Sequence, residues 1–291
     1  MRGSVCISID LELAWGVWDR PSRTNARYHA LCAAQESTIV ATLLELFDRH
    51  GIGATWAIVG RLLERDDRAA ASTPHGERIW YAPDLVEKIA TARPAHEIGS
   101  HSHAHVYFQE SDGDTVRADL LAARAIHERH GLSFRSFVFP RNQVAHLDTL
   151  REVGLRVFRG DDQGWFVDIK RRLGGTAGRL ANLVDKALPI PPAVVTPLER
   201  GGLTELPGSM LLLARSGFRR IVHPAAAIAK ARSGLEAASR YGRVFHLWFH
   251  PSNFYYETDR QFSVLDRILG RAAHMRDRGE IDIRTMGSFA A

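Results

Sequence analysis

The chain has 291 residues, 38 of them Lys or Arg and 33 Asp or Glu, giving a formal net charge of +5, with 45% hydrophobic and 24% charged residues. These proportions are ordinary for a soluble globular protein, and the length suffices for a sizeable core. Its two cysteines, Cys6 and Cys32, form no C-x-x-C pair, so neither a disulfide framework nor a thiolate zinc site is expected.

In chain order, the pattern predicts strands at residues 5–10 and 54–59 around an amphipathic helix at 36–50. A third strand ends at 97–101, and a helix at 112–130 is closed by Gly131. Next come a strand at 134–139 stopped by Pro140, a helix at 147–153 capped by Gly154, and extended chain at 157–159. Further strands at 203–206, 244–249 and 281–285 are separated by helices at 225–241 and 259–278. This β-α alternation predicts an α/β fold: a single domain over 1–291 built as a (β/α) barrel, with helices outside a mainly parallel sheet. Gly174-Gly175 and Pro189-Ile190-Pro191-Pro192 mark a loop insertion at about 164–202 over one barrel end.

The opening apolar run is too short for a signal peptide, and no segment reads as the roughly 18 apolar residues of a membrane span. A cytoplasmic location with no transmembrane segment is therefore expected. The basic balance is compatible with an anionic partner such as nucleic acid, a phosphate-bearing sugar carrier or a membrane surface contacted peripherally. Arg and Asp/Glu are interspersed throughout, however, so a solvated Arg-rich surface is the first expectation. Lys170-Arg171-Arg172 and Arg215 with Arg219-Arg220 are the local basic clusters, and no nucleic-acid-binding signature accompanies them. Nucleic acid is not expected as a partner.

The most informative stretch is His101-Ser102-His103-Ala104-His105, which follows an apparent strand. On a helical turn, residues four apart face the same way, so His101 and His105 are placed to share one metal ion. His103 then points about 200° from His101, toward solvent. In a barrel, residues at the C-terminal strand ends meet at one mouth. There the chain gathers Asp10 and Glu12, the two histidines, Pro140-Arg141-Asn142, Asp161-Asp162 with Trp165, and His246-Leu247-Trp248-Phe249-His250. Period two directs His246, Trp248 and His250 to one face, and Asp10 and Glu12 to one face. Glu205, acidic in an apolar strand, needs a partner and is expected to face the mouth. Trp15 and Trp18 follow the acidic pair and are placed to shape substrate access.

Five motifs in order resemble those of the polysaccharide deacetylase family, the NodB-like carbohydrate esterases. They are Ile7-Ser8-Ile9-Asp10-Leu11-Glu12, His101-Ser102-His103-Ala104-His105, Phe139-Pro140-Arg141-Asn142, Asp161-Asp162-Gln163-Gly164-Trp165 and Leu247-Trp248-Phe249-His250-Pro251. The resemblance implies a distorted (β/α) barrel of about seven strands and metal-dependent removal of an acetyl group from a sugar. Two departures stand out. Leu11 replaces the usual second aspartate, the carboxylate returning as Glu12 as in members acting on smaller or lipid-linked sugars, and the third motif runs Pro-Arg rather than Arg-x-Pro.

Carried over residue by residue, the resemblance makes Asp10 the base and Glu12 the third ligand of a divalent metal, zinc foremost, beside His101 and His105; the two carboxylate roles are open to exchange. Arg141, or another neighbour, is expected to hold Asp10 ionised. His250 is the candidate general acid, with Asp161 or Asp162 tuning its protonation. Trp165, Glu205, His246 and Trp248 are candidate substrate-binding residues, with core packing the alternative for the tryptophans and for His246. The expected substrate is an acylated amino sugar, nucleotide- or lipid-linked, in envelope polysaccharide biosynthesis. Alternatives are a deformylase or cyclic-amide hydrolase on the same fold, and an inactive sugar-binding barrel.

Overall fold

A computed structural model describes residues 2–19, 22–64, 77–164, 174, 185, 188 and 190–290. Its strands are β1 (Gly3–Leu11), β2 (Thr55–Ile58), β3 (Glu97–Ser100), β4 (Ser136–Val138), β5 (Val157–Gly160), β6 (Leu198–Arg200), β7 (Leu203–Pro207), β8 (Met210–Leu211), β9 (Val244–Phe249) and β10 (Ile281–Arg284). The helices are α1 (Ser22–His50), α2 (Pro83–Thr91), α3 (Gly113–Arg129), α4 (Leu147–Glu152), α5 (Pro224–Tyr241) and α6 (Thr258–Asp277).

Alternation along β1 sets the plan. Val5, Ile7, Ile9 and Leu11 point outward into the main core, which they share with α1, α5 and α6, while Cys6, Ser8 and Asp10 point inward. All nine residues of β1 are buried, because strands flank it on both sides. β9 pairs with it in parallel along Ser4–Ile9; the opposite edge is divided, β10 taking Gly3–Cys6 and β2 taking Ser8–Leu11. That division distorts the barrel.

From β2 the sheet runs in parallel through β3, β4 and β5 to β7. β7 lies beside β5, whereas β8, two residues later, lies beside β9. The chain crosses between them at Gly208-Ser209, where Gly208 N–H donates to the Gly160 carbonyl (3.4 Å) and Ser209 N–H to that of His246 (2.9 Å). One bent strand thus joins the two ends of the sheet into the expected barrel, with β7 and β8 counting as a single stave of seven. Beneath the mouth, Ala57, Val138, Val157, Leu206 and Val244 pack around Cys6 and Met286 as an apolar floor.

Several elements differ from expectation. α1 begins at Ser22 rather than near Glu36: no Gly or Pro interrupts residues 22–50, and Cys32 is buried in the earlier turns. Within it, Asn25–His50 is long and apolar enough to cross a membrane by length and composition, contrary to the sequence expectation. Its apolar side is already taken, since Ile39, Val40, Leu43, Leu46 and Phe47 are buried against the sheet. α2 was not anticipated; Pro83 opens it, and Leu85, Val86 and Ile89 form its buried face. Of the expected 164–202 insertion, the described part carries β6, which forms an antiparallel hairpin with β7. The remainder, including Lys170, Arg171, Arg172 and Gly175, lies outside the described residues.

Candidate active site

The inward side chains of the strand ends meet at one end of the barrel. Glu12, just beyond β1, and His101 and His105, just beyond β3, each offer a ligand atom, and these lie within 4.8 Å of one another. Both imidazoles are buried, with their ring centroids 5.1 Å apart. His101 Nδ1 lies 2.8 Å from the Val138 carbonyl, which fixes its proton there and leaves Nε2 an acceptor. That Nε2 is buried without a hydrogen-bond partner and faces Glu12 Oε2 at 3.4 Å. His105 Nε2 lies 3.0 Å from the same oxygen. Two imidazoles and a carboxylate are a common donor set for a catalytic divalent metal, and the orphaned nitrogen is the kind of atom such an ion satisfies.

The spacing of the histidines is as expected, but their local structure is not helical. Ser102 and His105 adopt left-handed conformations (φ 65° and 55°) in a tight turn. Asp119, from α3, accepts the amides of His103 (2.9 Å) and Ala104 (2.8 Å), and Ser102 Oγ accepts that of Val106 (3.1 Å). His103 points away from the centre and pairs with Glu64 at 3.2 Å. Gly16 matters in a parallel way: a Cβ there would lie 2.1 Å from Glu12 Oε1, so only glycine leaves the carboxylate room.

Asp10 lies beside this centre, 2% exposed. Its carboxylate is gripped by Arg159, from β5, with Nη1 2.7 Å from Oδ1 and Nη2 2.6 Å from Oδ2. Burial works to raise the Asp10 carboxyl, but Arg159 above all, with His250 and His101, holds it below the ordinary value. Glu12 is likewise pushed up by burial and pulled well below its usual range by the neighbouring imidazoles, His250 first and then His101 and His105. Arg159 also donates to Ser8 Oγ (3.1 Å) and Asn142 Oδ1 (3.1 Å), and lies 4.2 Å over the Trp248 ring.

This arrangement corrects the expectation for Arg141. Arg141 turns outward, where Nη2 meets both Asp19 oxygens (2.7 and 2.9 Å) and the guanidinium lies 4.5 Å over Tyr107. The reversal comes from Arg141 and Asn142 both being left-handed (φ 53° and 54°), at a cost of about 1–3 kcal/mol each. Asn142 points to Arg159, and Arg141 points to the rim. Arg159 was missed because its strand reads as short and apolar. Its signal was a charged residue two positions from the inward-facing Val157.

His250 Nε2 lies 3.6 Å from Asp10 Oδ2 and 3.6 Å from Glu12 Oε1. At the head of the following turn Asn253 Oδ1 accepts the His250 amide at 2.8 Å, and the His250 carbonyl accepts the Asn253 amide at 2.9 Å. The imidazole Nε2 faces the site. Neither aspartate of the fourth motif touches this ring. Asp162 Oδ1 accepts from Trp248 Nε1 (2.7 Å), and Trp248 meets His250 edge-on at 5.9 Å, so the indole links Asp162 to this ring. Asp161 is exposed.

His246, Trp248 and His250 do share the inward face, but at increasing height. His246 is fully buried: Nδ1 faces the Pro207 carbonyl (3.1 Å) and Nε2 the Ser8 hydroxyl (2.9 Å). Burial first, then Arg159, lowers it to about 3, so it is neutral and supports Ser8 rather than lining the mouth. Glu205 also departs from expectation. Its register partner is Phe158, whose side chain faces outward from the barrel, and Arg200 pairs with it at 3.1 Å. Trp15 packs edge-on against Trp80 at 5.0 Å, and Trp18 is half exposed at the rim. Trp165 lies outside the described residues.

Comparisons with known proteins find similarity in a segment of the sequence and in the fold. A family model described as polysaccharide deacetylase matches residues 30–157. No curated protein matches the chain. Among solved structures, a Mycobacterium smegmatis protein assigned as a polysaccharide deacetylase aligns with a TM-score of 0.68 at 19% identity, over 98% of this chain and 87% of that one. A Pseudomonas aeruginosa PAO1 protein assigned likewise gives 0.61 at 12% identity, over 97% and 87%. The Puue allantoinase also gives 0.61, at 13% identity over 97% and 87%. At these identities the structures establish the shared fold, while the family match covers α1 from residue 30 onward, both imidazoles of the centre and the strands β2 to β4. Residues 30–157 of the chain are thus similar to the polysaccharide deacetylase family.

Proposed function

We propose that the chain removes acetate from an acetamido sugar, with Glu12, His101 and His105 holding a divalent metal, zinc foremost. One observation carries this reading: the three-ligand cluster lies beside a carboxylate, Asp10, that is buried, ionised and committed to no ligand role. A bound divalent cation lowers the pKa of water from about 15.7 toward about 7 and polarises an acyl oxygen. Asp10 accepts the proton of the attacking water, its second role as Arg159's partner keeping it charged and aimed. His250, as the imidazolium, presents Nε2–H across the same space and becomes neutral as it protonates the departing nitrogen, an amine being a poor leaving group otherwise. Trp248, pinned by Asp162 and Arg159, forms the wall behind His250.

The substrate is further proposed to be a nucleotide- or lipid-linked precursor of an envelope polysaccharide, met in the cytoplasm; the net charge of +5 supports a phosphate-bearing partner. The test is acetate release from N-acetylglucosamine and its 1-phosphate by zinc-loaded protein, with metal content measured in parallel. Asp10→Asn and His250→Ala should keep the metal and lose about 10²–10⁴-fold in turnover, whereas Glu12→Gln should lose the metal. Metal loss in Asp10→Asn with retention in Glu12→Gln would exchange the two roles. Formate rather than acetate would shift the reading to a deformylase, and metal-loaded wild type that releases neither from any acylated amino sugar would leave a sugar-binding barrel.

A further inference from the structure

Three loops meet at the rim of the mouth: the one after β1 brings Trp18 and Asp19, the one after His105 brings Tyr107, and the one after β4 brings Arg141. Trp18 and Tyr107 are stacked, with centroids 6.3 Å apart and planes 22° from parallel, and Trp18 is 51% exposed. Tyr107 also meets the His105 ring edge-on at 5.7 Å. One tyrosine ring therefore connects the metal-site histidine to the Arg141 guanidinium, 4.5 Å away over its face. Among the hydrogen bonds of the described residues, Arg141 uses Nη2 alone, for Asp19. Its Nη1 and Nε are left for another acceptor on a side chain that is 39% exposed.

We infer that Arg141, with Trp18 and Tyr107, forms a rim subsite that reads an anionic group on the sugar, a phosphate or a carboxylate, while the acetamido group lies at the metal centre; this rests on the deacetylation reading above. A planar guanidinium held over an aromatic ring is already oriented for a two-toothed contact with an oxyanion. The exposed Trp18 face suits the apolar face of a sugar ring. Asp19 occupies one corner of the guanidinium, and an exposed pair of this kind contributes little to stability, so it yields readily to a second oxyanion. Asp19 thereby sets the affinity: its charge holds Arg141 in place but repels the incoming group.

The experiment measures dissociation constants on the metal-loaded Asp10→Asn background, so that no acetate is released. The probes are N-acetylglucosamine, N-acetylglucosamine 1-phosphate and N-acetylmuramic acid. An anionic probe should bind about tenfold tighter than the neutral one. Arg141→Gln should reduce that preference to about twofold or less while leaving the neutral affinity in place, and Arg141→Lys should restore part of it. Asp19→Asn should increase the preference, and Trp18→Ala should weaken all three probes alike. A gain for the phosphate alone or for the carboxylate alone identifies the anion. A preference unmoved by Arg141→Gln in a variant with wild-type thermal unfolding, or a preference lowered by Asp19→Asn, overturns the subsite. If otherwise wild-type protein releases no acetate yet the preference follows Arg141, the subsite stands and the catalytic reading falls; acetate release with an unmoved preference does the reverse.

Discussion

Arg159 and Arg141 each pair with an aspartate near the mouth of the same barrel, yet they do different work. Arg159 is 2% exposed and engages Asp10 through two parallel hydrogen bonds, with Ser8 and Asn142 taking its remaining contacts. Arg141 is half open to solvent and meets Asp19 through one nitrogen. The buried pair fixes a charge state, because neither partner has water to fall back on. The exposed pair fixes only a direction.

Removing Arg159 is the most severe way to probe that difference. Arg159→Met leaves the Asp10 carboxylate buried and unpaired, and should cost about 3–5 kcal/mol of stability in denaturant unfolding. The apparent pKa of the acidic limb of activity should rise with it, as Asp10 loses the neighbour that keeps it charged. An Arg159→Met protein with unchanged stability and pH profile would show that the pair is not coupled to folding.

Acid should strike the buried region in the same way. Asp10 and Glu12 are depressed in the folded state, so the stability they contribute is complete above their unfolded values and is lost as pH falls through their folded ones. His246, lowered to about 3 chiefly by burial, and His127, lowered to about 4 by burial, act earlier. Unfolding takes up their protons from about pH 6.5 downward, so each can remove up to about 1.4 kcal/mol per pH unit. A stability plateau extending down to pH 4 would contradict this.

Asp119 ranks between the two pairs. Asp119→Ala leaves the His103 and Ala104 amides without their acceptor, at a cost of about 1–3 kcal/mol. Metal affinity should fall too, since the left-handed turn that brings His101 and His105 together loses its support. Unaltered zinc binding would show that the turn holds its shape alone. The smallest effect is expected at the rim, where Arg141→Ala should change stability by about 1 kcal/mol or less.

The parts of the site legible in the sequence were those where residue type alone carries the chemistry. Asp10, Glu12, His101, His105 and His250 converge as their positions at strand ends predicted, and the β-α alternation gave the barrel. What failed was geometry that only the backbone or the register decides. The paired imidazoles promised a helical turn, yet Ser102 and His105 are left-handed without a glycine to signal it. Arg141 was given the role of Arg159 because the reversal at Arg141-Asn142 swaps which side chain faces inward. Glu205 was placed in the mouth, whereas its register opposite Phe158 sends it outward. His246 followed the correct period but sits too deep to meet a substrate.

The apolar floor of the barrel has a practical corollary for Cys6. Met286 plugs the lower opening, its amide donating to Thr55 Oγ1 at 2.8 Å, while the Gly287 amide donates to Glu97 at 2.8 Å. Cys6 lies directly against this plug, fully buried, its thiol pushed well above the ordinary value by burial first and Glu97 second. Such a thiol is chemically silent while the plug is seated. It is therefore a built-in reporter: the rate at which a small alkylating reagent finds Cys6 measures how often the bottom of the barrel opens, independently of anything that happens at the mouth.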